Sequence, residues 1–173
     1  SSDVCSSDLL WKDRTSFIIS ARRSYADLII KPFMDKDTKG GYYLYDINTK
    51  LNHRFSDRDR LFFSFYHGKD HASFTNTSSY YFEEEKETDT RERQVMAWGS
   101  TLGALRWNHI VSNRLFHNIT LSYNRFRFNI KNNFTSANKH LDSQYYSGIE
   151  DWGLTSDFDF HPSPSHFIKF GGN

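Results

Sequence analysis

The connections between the alternating segments of this chain fall into two classes of very different length. Three short polar connections each join two segments in which apolar and polar residues alternate: 56–59, 111–114 and 161–165. Longer polar stretches, dotted with aromatic residues, lie between them: about 24–41, 70–94 and 129–148. A chain of this kind is expected to form an up-and-down antiparallel sheet whose two ends face different surroundings, as in outer-membrane barrels with tight periplasmic turns and long external loops.

Residues 42–55 show the alternation most clearly, because strand side chains point to opposite faces in turn. One face carries Tyr43, Ile47 and Leu51, and the other carries charges and amides. A basic residue near the bilayer midplane costs about 2–4 kcal/mol, so the polar face must look into water or protein. The same alternation in later segments gives a set of residues predicted to face a lumen: Asp46, Asn48, Lys50, Arg54, Arg106, Asp151 and Asp157.

This reading predicts an all-β, antiparallel up-and-down meander of about seven long strands: 15–24, 42–55, 60–70, 95–110, 115–128, 149–160 and 166–172. Residues 25–33 are expected to form a short helix or an ordered loop. The apolar phase changes after Asn124, because Phe126 and Phe128 fall on the polar register. Either a β-bulge or the end of membrane contact would explain this change.

The aromatic content supports a membrane sheet. Phe, Tyr and Trp make up 17% of the chain, yet its mean hydropathy is −0.73 and no run approaches the roughly 18 apolar residues of a spanning helix. The rings cluster toward strand ends, as in aromatic girdles: Phe55, Trp107, Phe116, Phe160 and Phe167 at one end, and Tyr42, Tyr43, Trp98, Phe126 and Tyr146 at the other. The alternative is a soluble or secreted β-sandwich that binds carbohydrate through surface aromatics.

Other function classes receive little support from the sequence. The net charge is +1, which does not indicate a nucleic-acid partner, and the only cysteine is Cys5. Phosphate-loop and dinucleotide glycine patterns are absent, and no nucleophile sits in a glycine-rich turn. His67, Asp70 and His71 could bind a metal, but a polar loop mouth explains them more simply. We therefore expect no enzyme activity, no cofactor and no metal.

Residues 1–10 require a separate interpretation. The segment 3–9, Asp-Val-Cys-Ser-Ser-Asp-Leu, looks like a translated sequencing adapter, so residues 1–10 are interpreted as an artefact and 11–173 as the protein. Because such an artefact implies a truncated gene, the absence of an initiator Met and a signal peptide is not evidence for a cytoplasmic protein.

Five aromatic residues in the long polar stretches are candidate ligand contacts: Phe74, Tyr80, Tyr81, Tyr145 and Tyr146. Exposed rings beside Asn and Asp suit stacking on sugars or other flat ligands. They suit equally well loops that pack on each other or on a surface lipoprotein partner. The sequence leaves these alternatives open.

Four segments resemble the TonB-dependent receptors of the carboxypeptidase-regulatory-like, starch-utilisation-related branch. They occur in the expected order, at 14–25 (Arg-Thr-Ser-Phe-Ile-Ile-Ser-Ala-Arg-Arg-Ser-Tyr), at 42–52 with 59–66, at 105–109 with 115–116 and 120–123, and at 166–171 (His-Phe-Ile-Lys-Phe-Gly). The resemblance covers the chain from about residue 12 to its end.

This resemblance implies a fragment of a 22-stranded outer-membrane barrel, namely its N-terminal part, with the plug domain and the remaining strands absent. It implies TonB-dependent active transport of a large or scarce nutrient, such as a glycan, a siderophore or a peptide, in the outer membrane of a Gram-negative bacterium. The implied partners are the plug domain, the TonB complex through the missing N-terminal region, outer-membrane lipid and a surface lipoprotein.

Overall fold

Nearly all of the described chain is β-strand. The computed structural model describes residues 2–10, 14–33, 37–82, 85–137 and 139–173, with the backbone alone at 2–10, 27, 30–31, 38, 80–82 and 85–88. The strands are β1 (Ser2–Leu10), β2 (Thr15–Arg23), β3 (Thr38–Arg54), β4 (Asp59–Phe82), β5 (Glu85–Ser112), β6 (Leu115–Ser136), β7 (Lys139–Ser163) and β8 (His166–Gly172). A short helix, α1 (Ala26–Ile30), and a 3-10 turn (Lys31–Phe33) lie between β2 and β3.

The strands form one antiparallel sheet in the order β1 to β8, so each strand pairs with its neighbours in sequence. The predicted all-β meander is therefore confirmed, with seven strands in the part of the chain that follows residue 14. The segment Ser2–Leu10 adds an eighth strand that pairs with β2. That residues 1–10 are a sequence artefact stays a prediction. Of the short helix or ordered loop expected at 25–33, the structure shows a short helix, and no helix among the described residues is long and apolar enough to cross a membrane.

The prediction of long loops at 70–94 and 129–148 is wrong. β4 and β5 contain 24 and 28 residues and pair from Asp59↔His109 to Phe82↔Glu85, and the β6–β7 ladder reaches Ser136↔Lys139. A membrane-spanning β-strand needs only about 9–11 residues. These hairpins therefore continue far beyond a bilayer. The polar stretches resemble loops in sequence because, once both faces meet water, the apolar alternation that identifies a strand disappears.

One face of the sheet carries an uncharged, largely apolar surface, which we call the apolar band. Opposed residues of an antiparallel pair lie on the same face, so the register defines rows across the strands. Three consecutive rows form the band: Thr15, His53, Leu61, Trp107, Ile119 and Ser156; Phe17, Leu51, Phe63, Leu105, Leu121 and Leu154; Ile19, Thr49, Phe65, Gly103, Tyr123 and Trp152. They contain no Asp, Glu, Lys or Arg.

The sheet has no second layer to cover this band. Within the described ranges no hydrophobic side chain is buried, and Trp152 and Leu154 are 66% and 60% exposed. A β-sandwich would enclose one face of each sheet in a core about 10 Å thick. The sandwich alternative is therefore not supported. A single sheet with one exposed apolar face is stable where hydrocarbon covers that face, because apolar surface is then removed from water.

The change of phase after Asn124 has a clear explanation. The β5–β6 ladder has one irregularity, between Ile110 and Ser112, and the β6–β7 ladder runs without one. The chain therefore has no bulge near Asn124, and Phe126 and Phe128 stay on the polar face. The change marks the upper limit of the apolar band, above which rings occur on the opposite face.

The face assignment can be tested with neighbouring residues of β6. Leu121→Lys places a charge in the middle of the band and is expected to lower the free energy of unfolding in lipid vesicles by about 2–4 kcal/mol. Ser122→Lys places the same charge on the opposite face, beside Ala104 and Gly153, and should cost less than about 1 kcal/mol. Urea titration of the protein as its gene encodes it measures both. Equal costs would contradict the assignment.

Candidate functional site

The register places all seven predicted polar residues on the face opposite the apolar band, which we call the polar face. Asn48 and Asp151 lie in one row with Tyr66, Leu102 and Asn124. The remaining five share this face: Asp46 opposite Gly68, Lys50 opposite Ser64, Arg54 opposite Arg60, Arg106 opposite Thr120, and Asp157 opposite Asn118. These residues therefore lie on one continuous surface across five strands, and that this surface faces a lumen stays a prediction.

Asp46 has a structural partner on this surface. Its Oδ2 accepts a hydrogen bond from Nε of Arg22 on the neighbouring strand at 2.6 Å, and the two residues are directly opposed. The Asp46 side chain is only 14% exposed, whereas that of Arg22 is 56% exposed. The carboxylate therefore ties β2 to β3, and a ligand would have to compete with Arg22 for it.

The short-turn end of the polar face contains polar atoms that lack partners. The side-chain oxygens Asn52 Oδ1, Asn108 Oδ1 and Asp159 Oδ1 are buried without a hydrogen-bond partner in the part of the chain that the structure describes. Asn108 and Asp159 line a cavity of about 360 Å³ together with Arg54 and Arg60. Buried polar groups normally find partners, so this surface is suited to contact with water or with another polar surface.

At the other end, the polar face carries an aromatic cluster of Trp98, Phe128 and Tyr145. The ring centroids are 6.5 Å apart for Trp98 and Phe128, and 6.4 Å apart for Phe128 and Tyr145. Trp98 and Phe126 were predicted to belong to an aromatic girdle at the strand ends away from the short turns, and the register places both on the polar face. The signal that could have revealed the cluster is the change of phase after Asn124.

The predicted ligand contacts are divided between the two faces. Phe74 and Tyr145 lie on the polar face and are 54% and 60% exposed. Tyr146 lies on the opposite face, where the guanidinium carbon of Arg127 is 5.8 Å from its ring centroid. Tyr80 and Tyr81 belong to strand β4 rather than to a loop, and their side chains lie outside the described part of the structure. Tyr145 and Tyr146 therefore cannot stack on one ligand together.

The residues considered for a metal site do not converge. His67 and His71 lie on the face of the apolar band, where Nδ1 of His67 is 3.0 Å from Oγ1 of Thr101 and His71 stacks on Tyr43. Asp70 lies on the polar face and accepts a hydrogen bond from the Tyr42 hydroxyl. No group of three potential metal ligands occurs among the described residues.

Comparison with known families agrees with this geometry. Residues 36–171 match the family model described as an outer membrane beta barrel domain. The match covers well over half of the chain, so the chain belongs to the outer-membrane β-barrel domain family and is located in the outer membrane. No curated protein matches the chain. In a bilayer the apolar band faces lipid, since this arrangement keeps the charges of the polar face out of hydrocarbon.

The contribution of the Arg22–Asp46 ion pair to stability can be tested directly. In a double-mutant cycle with Arg22→Gln and Asp46→Asn, we expect a coupling of about 0.2–1 kcal/mol in the free energy of unfolding, because the guanidinium is partly exposed. Asp151→Asn is the matched control, since Asp151 lies five strands from β2. Its effect should add to that of Arg22→Gln without coupling. Coupling of the same size in both cycles would show that the ion pair is not responsible.

Proposed function

We propose that this chain forms part of the wall and external hairpins of a TonB-dependent active transporter in the outer membrane of a Gram-negative bacterium. The polar face would line the lumen, the short turns would lie in the periplasm, and the tall hairpins would project outside. A plug domain of the same protein would fill the lumen and respond to TonB. The ligand would be a large or scarce nutrient, such as a glycan, a siderophore or a peptide.

The observation that carries this proposal is an open sheet. Among the described residues β8 pairs with β7 only at Ser156–Ser163. At residues 139–155 the side of β7 that faces away from β6 therefore has no strand beside it, and β1 does not pair with β8. A sheet in hydrocarbon must pair its edges, because an unpaired backbone group there costs several kcal/mol. In the proposed transporter, further strands of the wall would pair with this edge. Large barrels of about 22 strands have a plugged lumen.

The position of the apolar band supports the orientation. At the short-turn end the band reaches Leu61, two residues after the start of β4, whereas beyond Phe65 the same strand continues to Phe82. Outer-membrane barrels have short periplasmic turns and longer external connections. The hairpin of β4 and β5 and that of β6 and β7 would therefore stand on the external side.

The polar face has the chemistry of a surface against a plug. It carries Lys50, Arg54 and Arg106 as well as Asp151 and Asp157, so both signs of charge are available to a polar partner. The buried oxygens near the short turns would gain partners when that surface is covered. The ordered resemblance to TonB-dependent receptors supports the same assignment, and the energy would come from TonB at the inner membrane.

The aromatic cluster supports a role in ligand capture. Trp98, Phe128 and Tyr145 lie at the outer end of the polar face, where a ligand would enter, and Phe74 is exposed on the same face. Flat rings beside polar residues suit sugars and other flat ligands. A surface lipoprotein that closes over the hairpins would use the same rings.

Two measurements test the transport proposal. We expect the gene to encode a plug domain before the segment for residue 11, since the mechanism depends on it. We also expect cells that carry the protein to take up a member of a panel of ferric siderophore, maltooligosaccharide and cobalamin, and to lose this uptake when tonB is deleted or the proton gradient is collapsed. Uptake that persists without a proton gradient would indicate a passive pore instead.

Ring variants test the entry site on the transported compound. Trp98→Ala and Tyr145→Ala should each raise the half-saturating concentration by about five-fold, because a stacked ring contributes roughly 1 kcal/mol. Tyr146→Ala is the matched control, since its ring lies on the other face, and it should leave the value unchanged. A larger effect of Tyr146→Ala than of Tyr145→Ala would argue against binding at the polar face.

A further inference from the structure

Basic side chains gather on the lipid-facing surface just beyond the apolar band. Arg125 lies one row past Tyr123, and Lys69 and Arg127 lie together in the next row, with Gly99 between them. The band itself contains no Lys or Arg. The cations therefore begin where the apolar surface ends, on the side of the tall hairpins.

The three cations surround a depression in the sheet surface. They line a cavity of about 280 Å³ together with Tyr45 and His67. The depression forms because the residues of β5 at this level, Ala97, Gly99 and Thr101, have small side chains or none. Lys69 and Arg127 are two strands apart, which is about 10 Å, so a phosphate group fits between their side chains.

The charge of this site is not neutralised by its neighbours. Among residues with described side chains, no acidic group lies within ion-pair distance of Lys69, Arg125 or Arg127. Glu150 is directly opposite Arg125, but its Oε1 accepts a hydrogen bond from the Tyr123 hydroxyl at 3.2 Å. The cavity therefore combines three cations with one neighbouring carboxylate.

The surroundings of the cavity favour a lipid over a soluble anion. One side of the cavity continues into the apolar band, which would hold acyl chains. Tyr146 beside Arg127, and Tyr43 beside Arg23, are amphipathic rings at the same level, and the guanidinium carbon of Arg23 is 5.5 Å from the Tyr43 ring centroid. Tyr and Trp concentrate at the membrane interface, where lipid headgroups lie.

We propose that this cavity, formed by Lys69, Arg125 and Arg127, binds a phosphate of a phosphorylated glycolipid in the outer leaflet. Arg presents a planar fork that pairs with two phosphate oxygens, and Lys adds a compact charge. The acyl chains of the same lipid lie on the band below. The leaflet assignment rests on the orientation proposed above, whereas the binding itself does not depend on TonB or on transport.

Native mass spectrometry of the protein as its gene encodes it, purified in detergent micelles, tests the site with diphosphoryl lipid A as the probe. The triple variant Lys69→Gln, Arg125→Gln and Arg127→Gln should weaken binding by at least ten-fold, since each basic residue near an anionic lipid surface contributes about five-fold. Lipid A from which both phosphates have been removed should bind the unaltered protein at least ten-fold more weakly than diphosphoryl lipid A, a comparison that requires no variant to fold.

The matched control removes three other cations from the same face. Arg91, Arg93 and Lys131 lie farther along β5 and β6 and do not line the cavity. Their triple change to Gln should alter binding less than two-fold, although it removes the same charge. Equal losses in the two triples would overturn the proposed site in favour of diffuse attraction. Equal binding of the dephosphorylated lipid, or displacement of the lipid by excess inorganic phosphate, would overturn it as well.

Discussion

Backbone pairing between neighbours in sequence is the interaction on which this structure depends. Each strand from β1 to β8 bonds to the next, so the described residues form one layer without a buried core. A soluble domain of this size would derive much of its stability from buried apolar side chains. Here the apolar surface lies on the outside of the layer, and lipid takes the place of a core. The stability of the fold therefore depends on its location in the membrane.

The alternation of side chains converts this pairing into two chemically distinct surfaces. Between Leu61 and Phe65 one face is suited to hydrocarbon, while the other carries charges and amides. Beyond this level the two faces exchange character, since Arg125 and Arg127 lie on the face of the band and Phe126 and Phe128 lie opposite. The exchange occurs without a break in the ladder. It marks the height at which the hydrocarbon of the bilayer ends and headgroups and water begin.

This exchange locates both proposed sites. In the proposed orientation, the aromatic cluster of Trp98, Phe128 and Tyr145 lies at the external end of the polar face, where a ligand would enter. The cations around Gly99 lie on the other face beyond the apolar band, because a charge deeper in the bilayer would cost several kcal/mol, and the proposed lipid phosphate would reach them there. The two proposed sites therefore lie at the same height of the wall, on its two opposite faces.

Sequence reasoning succeeded where one face of a strand meets lipid. Asp46, Asn48 and Lys50 were grouped correctly because apolar neighbours such as Ile47 fixed their phase. It failed above the band, where the stretch 70–94 has no apolar phase to detect. Its pairing there depends on the partner strand rather than on local composition. Rings such as Trp98 were placed only by their nearness to a strand end, so the sequence did not show which face they occupy.

The sequence by itself determined the fold class, the order of the strands and the division into an apolar and a polar face, because these follow from period-two alternation and short connections. Only the tertiary structure decided the length of the hairpins and the register between strands. Register brings together residues that are far apart in the chain, such as Lys69 and Arg127, and a one-residue shift would move them to opposite faces. The sites depend on this cross-strand pairing, and no single strand encodes it.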